Sequence, residues 1–359
     1  MQRFEAFQPY HRSFGLSLFQ RVALWLAWVA VSGLFLCSQR GRPPGLARLA
    51  VAAPILAANY AIPLLFGGAD EVLTTYIIAI SSALITNLKV LAWVINRGTL
   101  LLPLTRAQWL AVMTLPILPS APECLEGHGD SAAGQQPEGQ AEASQAQSRR
   151  PRKGRTHETY PLLSQYLVLS ICCDGLAAFV STVLQLPVSP HFDSPYGSTS
   201  VRDFWSRWNQ IVSHCLRSCV YEPLLEGRLV HRPGCRAARF TRTRRMLAVL
   251  ASFLVSAVLH EGLFWYYAGR HTPHFLWFWF FVLWGPMLVA ENTGRGALRK
   301  RGVAVPTLLA RVLTLALLHV MVGVFWFPPI NSYGIMRQGA VNLHSGWQDV
   351  KAALAARLT

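Results

Sequence analysis

The sequence predicts an all-α, polytopic integral membrane protein of about eight transmembrane helices around an internal chamber. Three observations lead there. Hydrophobic residues make up 52% of the 359 and charged residues only 14%, well below the roughly one quarter usual in soluble chains. Apolar runs of about twenty residues recur, the length that crosses a hydrocarbon core. No ten-residue alternating pattern of a barrel strand occurs, and lipid admits only helices or closed barrels.

The clear spans are 18–37, 46–66, 75–95, 161–186, 246–268, 273–291 and 307–327. A weaker one, "TLLLPLTRAQWLAVMTLPIL" at 99–118, is interrupted by Pro103, Arg106 and Pro116. The first run is followed by "SQRGRPP" without a small-residue cleavage pattern, so a retained anchor is expected. Residues 120–158 are rich in Gly, Ser, Gln, Ala and Pro and are expected to be a disordered, low-complexity loop. The chain thus divides into N-terminal transmembrane helices (1–119), that loop (120–158) and a C-terminal core (159–359). Residues 187–245 mix aromatics, prolines and ten arginines. Within them, 203–226 has helical spacing and is expected to lie along the membrane surface.

The formal net charge of +16 would suggest nucleic acid in a soluble chain. Here the arginines lie in loops between apolar runs, so topology and anionic headgroups account for them, and no nucleic-acid partner is expected. Loops 39–48, 96–98, 187–245 and 294–302 read as cytosolic. Joined through a single crossing at 161–186 the two halves disagree in sidedness, so either 99–118 also crosses or one helix between 99 and 186 re-enters; a crossing at 99–118 is expected. The seven cysteines form no CxxC pair, and neither a disulfide frame nor a metal site is expected. Cys215 and Cys219 beside His214 are too few ligands for one. Sequence leaves the oligomeric state open.

Two constellations carry chemistry. In "MLAVLASFLVSAVLHEGLFWYYAG", 246–269, His260 lies about 21 Å along the helix from Met246. That is past the bilayer centre, where ionisable groups are rare and face cavities or one another. An imidazole in such surroundings is either an uncharged general base or a helix-contact residue. Glu261 points about 100° away round the helix and fits a structural role better than catalysis. His319, the other intramembrane histidine, reads as a helix contact. In "SVRDFWSRWNQIVSHCLRSCVYEPL", 200–224, Trp205 and Trp208 suit the membrane interface. Arg202 and Arg207 match phosphate oxygens, and Asn209 offers both a donor and an acceptor.

Taken together, the two segments resemble the membrane-bound O-acyltransferase superfamily, and within it the wax-synthase branch. The resemblance runs through "NLKVLAWVINRGTL" (87–100), "PHFDSPYGSTSVRDFWSRWNQIVSHCLRSCVYEPL" (190–224), "FLVSAVLHEGLFWYY" (253–267) and "VFWFPPI" (324–330). It implies His260 as catalytic base and Asn209 as the second catalytic position; Trp205, Arg207, Trp208 and Arg202 around them are expected to bind substrate. It implies acyl-CoA as co-substrate, a lipid alcohol as acceptor, no further cofactor, and a home in the endoplasmic reticulum. The product would be a wax ester, or in sister enzymes a sterol or diacylglycerol ester. The rival class is a membrane lipid or proton-coupled transporter using His260 as a relay. One departure stands out: "FWSRWN" is a residue shorter than the family's usual block, which on a continuous helix turns Asn209 by about 100° relative to Trp205.

Overall fold

Ser17 and Gln20 cap each other reciprocally at the start of helix α1 (Leu18–Ser38), satisfying N–H groups that a first turn leaves open. In this computed structural model the described residues are 15–67, 71–120, 161–234, 241–302 and 305–358; the expected loop at 120–158 lies outside them apart from Ser120. Helix α2 (Leu46–Ala61) continues through a 3-10 turn, Ile62–Leu65. Helix α3 (Val72–Ile78) passes through a π-helical stretch, Ala79–Thr86, into α4 (Asn87–Val94). Then come α5 (Arg106–Thr114), β1 (Leu118–Pro119), α6 (Pro161–Leu184) and β2 (Val188–Ser189). The site region is α7 (Val201–Arg207), α8 (Gln210–Leu216) and α9 (Glu222–Glu226), followed by the long helices α10 (Arg242–Ala268) and α11 (Leu276–Lys300). Helices α12 (Thr307–Met321), α13 (Phe327–Ser332) and α14 (Ile335–Leu358) complete the chain.

Six helices among the described residues, rather than about eight, are long and apolar enough to cross a membrane: Leu18–Ser38, Leu46–Leu65, Val72–Val94, Arg242–Tyr266, Pro273–Lys300 and Thr307–Ser332. The third is 78% buried and the others 28 to 33%. Val72–Val94 is therefore the inner helix, and the others turn apolar faces such as Val31, Phe35, Val312 and Val320 outward, as lipid contact requires.

The expected crossing at 99–118 is not made. Thr105 and Gln108 form a capping box, and α5 ends after nine residues, before Pro116. Nine residues rise only about 14 Å, against a hydrocarbon core of about 30 Å. Helix α5 instead packs beside α1, where Gly33 faces Leu110 and Met113. The buried Lys89 fastens its far end: Nζ donates to the carbonyls of Val112 (2.5 Å), Leu115 (2.8 Å) and Ile117 (3.0 Å). The chain leaves at β1 and returns at β2, which pairs with it antiparallel.

Nor do the helices of 203–226 merely lie on a surface. Ile211 and Cys215, four residues apart, are buried against Leu84, Ile85, Leu88 and Leu263. The Cys219 thiol donates to the Leu88 carbonyl. This wedges α8 and the π-helical turn Arg217–Tyr221 between the inner helix and α10. Beyond it, Arg97 grips Glu226 through two nitrogens, at 2.9 and 2.7 Å. The Arg97 guanidinium, with His231 beside it, holds the Glu226 carboxyl down at about 2 from an ordinary 4.5. A carboxyl depressed on folding stabilises the fold above its unfolded pKa. This tie is expected to be intact above about pH 4.5 and lost as pH falls toward about 2. Acid unfolding of wild type and Glu226→Gln in detergent checks this: the variant should lose part of the pH dependence in that window.

Candidate active site

His260 sits in α10, about 27 Å along the axis from Arg242. Its Nδ1 lies 2.8 Å from the carbonyl oxygen of Ser256, one turn earlier. A backbone carbonyl only accepts, so Nδ1 carries the ring proton and Nε2 keeps a lone pair. Phe281 of α11 stacks on the imidazole at 3.9 Å between centroids, and Trp326 meets it edge-on at 5.8 Å. The two rings restrict the imidazole's orientation.

Glu261 faces elsewhere. It is buried and accepts from Thr272 N (2.9 Å), Thr272 Oγ1 (2.5 Å) and Phe278 N (3.0 Å). The carboxylate thus occupies the start of α11, where first-turn N–H groups are open and the helix dipole favours negative charge. The helix that carries His260 fixes, through the next residue, the helix that carries Phe281.

Asn209 stands in a break between helices. The backbone of α7 leaves helical geometry at Trp208, and Asn209 is left-handed, φ 43° and ψ 67°. Asparagine tolerates that region better than most residues. Its Oδ1 caps α8 by accepting from Val212 N at 3.2 Å. With Oδ1 so engaged, the Nδ2 donors face other partners. The break also removes the premise that the shortened block rotates Asn209 by about 100°, because no continuous helix connects Trp205 to it. The segment 191–193 brackets the break: Asp193 N donates to the Arg207 carbonyl at 3.0 Å, and Gln210 N to the His191 carbonyl at 3.0 Å. Phe192 packs on Trp208 at 4.9 Å.

His260 and Asn209 line one cavity of about 1200 Å³, larger than the usual pocket for a drug-sized molecule. Trp205, Trp208 and Arg202 line it as well. Trp205 is socketed among Phe253, Phe281 and Trp284, at 5.6 to 6.0 Å. Arg207 does not reach the cavity wall. It pairs with Asp203 at 2.7 Å and approaches Asp193 at 3.7 Å, because i, i+4 spacing on α7 places the two charges together. Three further cations, Arg217, Arg242 and Arg245, were not singled out from sequence but do line the cavity. Ser256 and Trp326 were likewise missed. The spacing of Ser256 four residues before His260 was the available signal for one, and the "VFWFPPI" stretch for the other. His319, read as a helix contact, also lines the cavity. Among the described residues no group of three His, Cys, Asp or Glu side chains is placed to hold a metal ion.

The helices are those of an integral membrane protein, and the proteins this chain resembles in sequence are acyltransferases. Residues 188–283 match the model of the membrane bound O-acyl transferase family, and the similarity to several long-chain-alcohol O-fatty-acyltransferases supports its wax-synthase branch. It is 28% identical over 316 residues to Acyl-CoA–sterol O-acyltransferase 1 of Arabidopsis thaliana, covering 82% of this chain and 86% of that protein. It is 36% identical over 169 residues to Probable long-chain-alcohol O-fatty-acyltransferase 3 of the same plant, covering 46% and 47%. It is 34% identical over 180 residues to Probable long-chain-alcohol O-fatty-acyltransferase 9, covering 50% of each. The match therefore spans about half the length of these long-chain-alcohol relatives. No solved structure is matched.

Proposed function

We propose that the protein transfers a fatty acyl group from acyl-CoA to the hydroxyl of a long-chain alcohol, forming a wax ester within the membrane, with the endoplasmic reticulum as its home. The observation that carries this reading is the presence around one cavity of an imidazole with an unengaged Nε2 and an asparagine whose Oδ1 alone is committed to a cap.

The alcohol oxygen attacks the thioester carbonyl as Nε2 of His260 accepts the hydroxyl proton. Asn209 Nδ2 donates to the carbonyl oxygen while negative charge builds there. The tetrahedral intermediate collapses by breaking the C–S bond, and the imidazolium returns its proton to the departing thiolate. A positioned base contributes about 10²- to 10⁴-fold and a donor on the developing oxyanion about 10²- to 10³-fold. Arg202, Arg217, Arg242 and Arg245 supply positive charge for the phosphates of the CoA headgroup. The aromatic walls and the lipid-facing helices suit two substrates with long hydrocarbon chains.

Asn209→Asp separates the capping role from the chemical one. Aspartate keeps an acceptor for Val212 N and tolerates the left-handed backbone, but has no amide donor. It is expected to lower kcat by about 10²-fold or more with the same yield of folded protein. Asn209→Ala removes the cap as well and should in addition destabilise by about 1 kcal/mol.

A sterol acceptor is the second reading. It is favoured by the similarity to a sterol O-acyltransferase over 82% of this chain. The test uses a host lacking neutral-lipid synthesis, with labelled acyl-CoA offered alongside long-chain alcohols, sterols and diacylglycerol. Labelled wax ester as the main product is expected. Sterol ester would select the second reading. Transport or lipid exchange with no ester would overturn both.

A further inference from the structure

Glu291 belongs to no motif singled out in the sequence, yet it ties together the two halves of the site. It lies on α11, about 15 Å along the axis from Phe281, the ring stacked on His260. Its carboxylate accepts from Val201 N at 3.2 Å and Arg202 N at 3.3 Å, the first two N–H groups of α7. Arg295 braces it at 3.2 Å and also donates to the Thr199 carbonyl. Ser200 caps the same turn by accepting from Asp203 N at 2.9 Å. Helix α7 is only seven residues long and ends directly at the break holding Asn209. An isolated helix of that length is unstable in water, so its placement rests on what grips it. Two grips come from α11: Trp284 and Phe281 around Trp205, and Glu291 at the N-terminus.

We propose that Glu291 is a positioning residue for the acyl-transfer reaction. Through α7 it sets where Asn209 stands relative to His260, so that α11 carries the alignment of both groups. The proposal rests on the acyltransferase reading above. The effect is expected in kcat rather than in acyl-CoA binding, since a misplacement of about 1 Å in a reacting group can cost up to 10²-fold.

The test compares wild type with Glu291→Gln, which keeps shape and one acceptor but turns an NH2 toward the second backbone N–H. Arg295→Met serves as a control that leaves the Glu291 cap in place. Purified protein in detergent is assayed for kcat and KM, and for hydrogen exchange along residues 199–213. Glu291→Gln is expected to lower kcat about 10-fold with KM for acyl-CoA changed less than roughly threefold. Exchange should rise through Asn209 to Ser213, and Arg295→Met should lower kcat by less than roughly threefold. In an Asn209→Asp background Glu291→Gln should lower kcat no further, because both act through one group. Multiplicative kinetic losses, or faster exchange confined to 201–203, would overturn the proposal. If wild type forms no ester at all, the acyltransferase reading fails, while the exchange experiment still decides whether Glu291 orders the Asn209 segment.

Discussion

Replacing His260 by alanine is expected to lower ester formation by about 10²- to 10⁴-fold, with folded protein recovered in normal yield. Both halves of that statement come from the ring's surroundings. Nδ1 is committed to the Ser256 carbonyl, and that carbonyl keeps its ordinary helical partner when the ring is gone. No other element of the fold hangs on the imidazole by a hydrogen bond among the described residues, apart from the 3.4 Å approach of Ser256 Oγ. What is lost is the lone pair at Nε2, the group assigned to take the alcohol's proton. His260→Gln sharpens the test, since its amide can hydrogen-bond but cannot accept a proton at neutral pH. It should be as inactive as alanine. Activity of either variant within tenfold of wild type would remove the imidazole from the chemistry.

The neighbouring residue is expected to behave in the opposite way. Glu261→Ala strands Thr272 N, Thr272 Oγ1 and Phe278 N, three donors that now share one buried carboxylate. A buried donor left unpaired costs about 1–3 kcal/mol, so a loss of about 3–5 kcal/mol is expected, enough to undock the start of α11. Glu261→Gln keeps one acceptor and should fall between, with reduced thermal stability and measurable turnover. Thermal unfolding in detergent, followed beside ester formation, reads both. A Glu261→Gln protein of full stability and no activity would make this carboxylate a reacting group, contrary to its role here as a helix anchor.

The contrast between these adjacent residues shows what was legible in the chain. Depth in an apolar run picked out His260, and the Trp-Asn block picked out Asn209, because residue type and spacing are local properties. That Glu261 is structural followed from the angle between neighbours on a helix. Its partners, at Thr272 and Phe278, lie beyond a turn and could not be named. The tertiary closures were hidden for the same reason. Pairing of Arg207 with Asp203 instead of a substrate phosphate depends on where α7 turns its polar face. The end of α5 after nine residues depends on Lys89, itself buried in a different span and holding three carbonyls. Arg217 reaches the cavity because its segment wedges inward, which surface placement of 203–226 did not anticipate, and Arg242 and Arg245 join it from the start of α10.

The central claim is that the free nitrogen of His260 meets the acceptor's hydroxyl beside the thioester. A structure of the purified protein with a long-chain alcohol and a thioether analogue of acyl-CoA tests it most directly. The account predicts the alcohol oxygen within hydrogen-bonding distance of His260 Nε2, and the acyl carbonyl position within reach of Asn209 Nδ2. An alcohol bound away from the imidazole, or an acyl group found covalently attached to a protein side chain after reaction with true acyl-CoA, would contradict it.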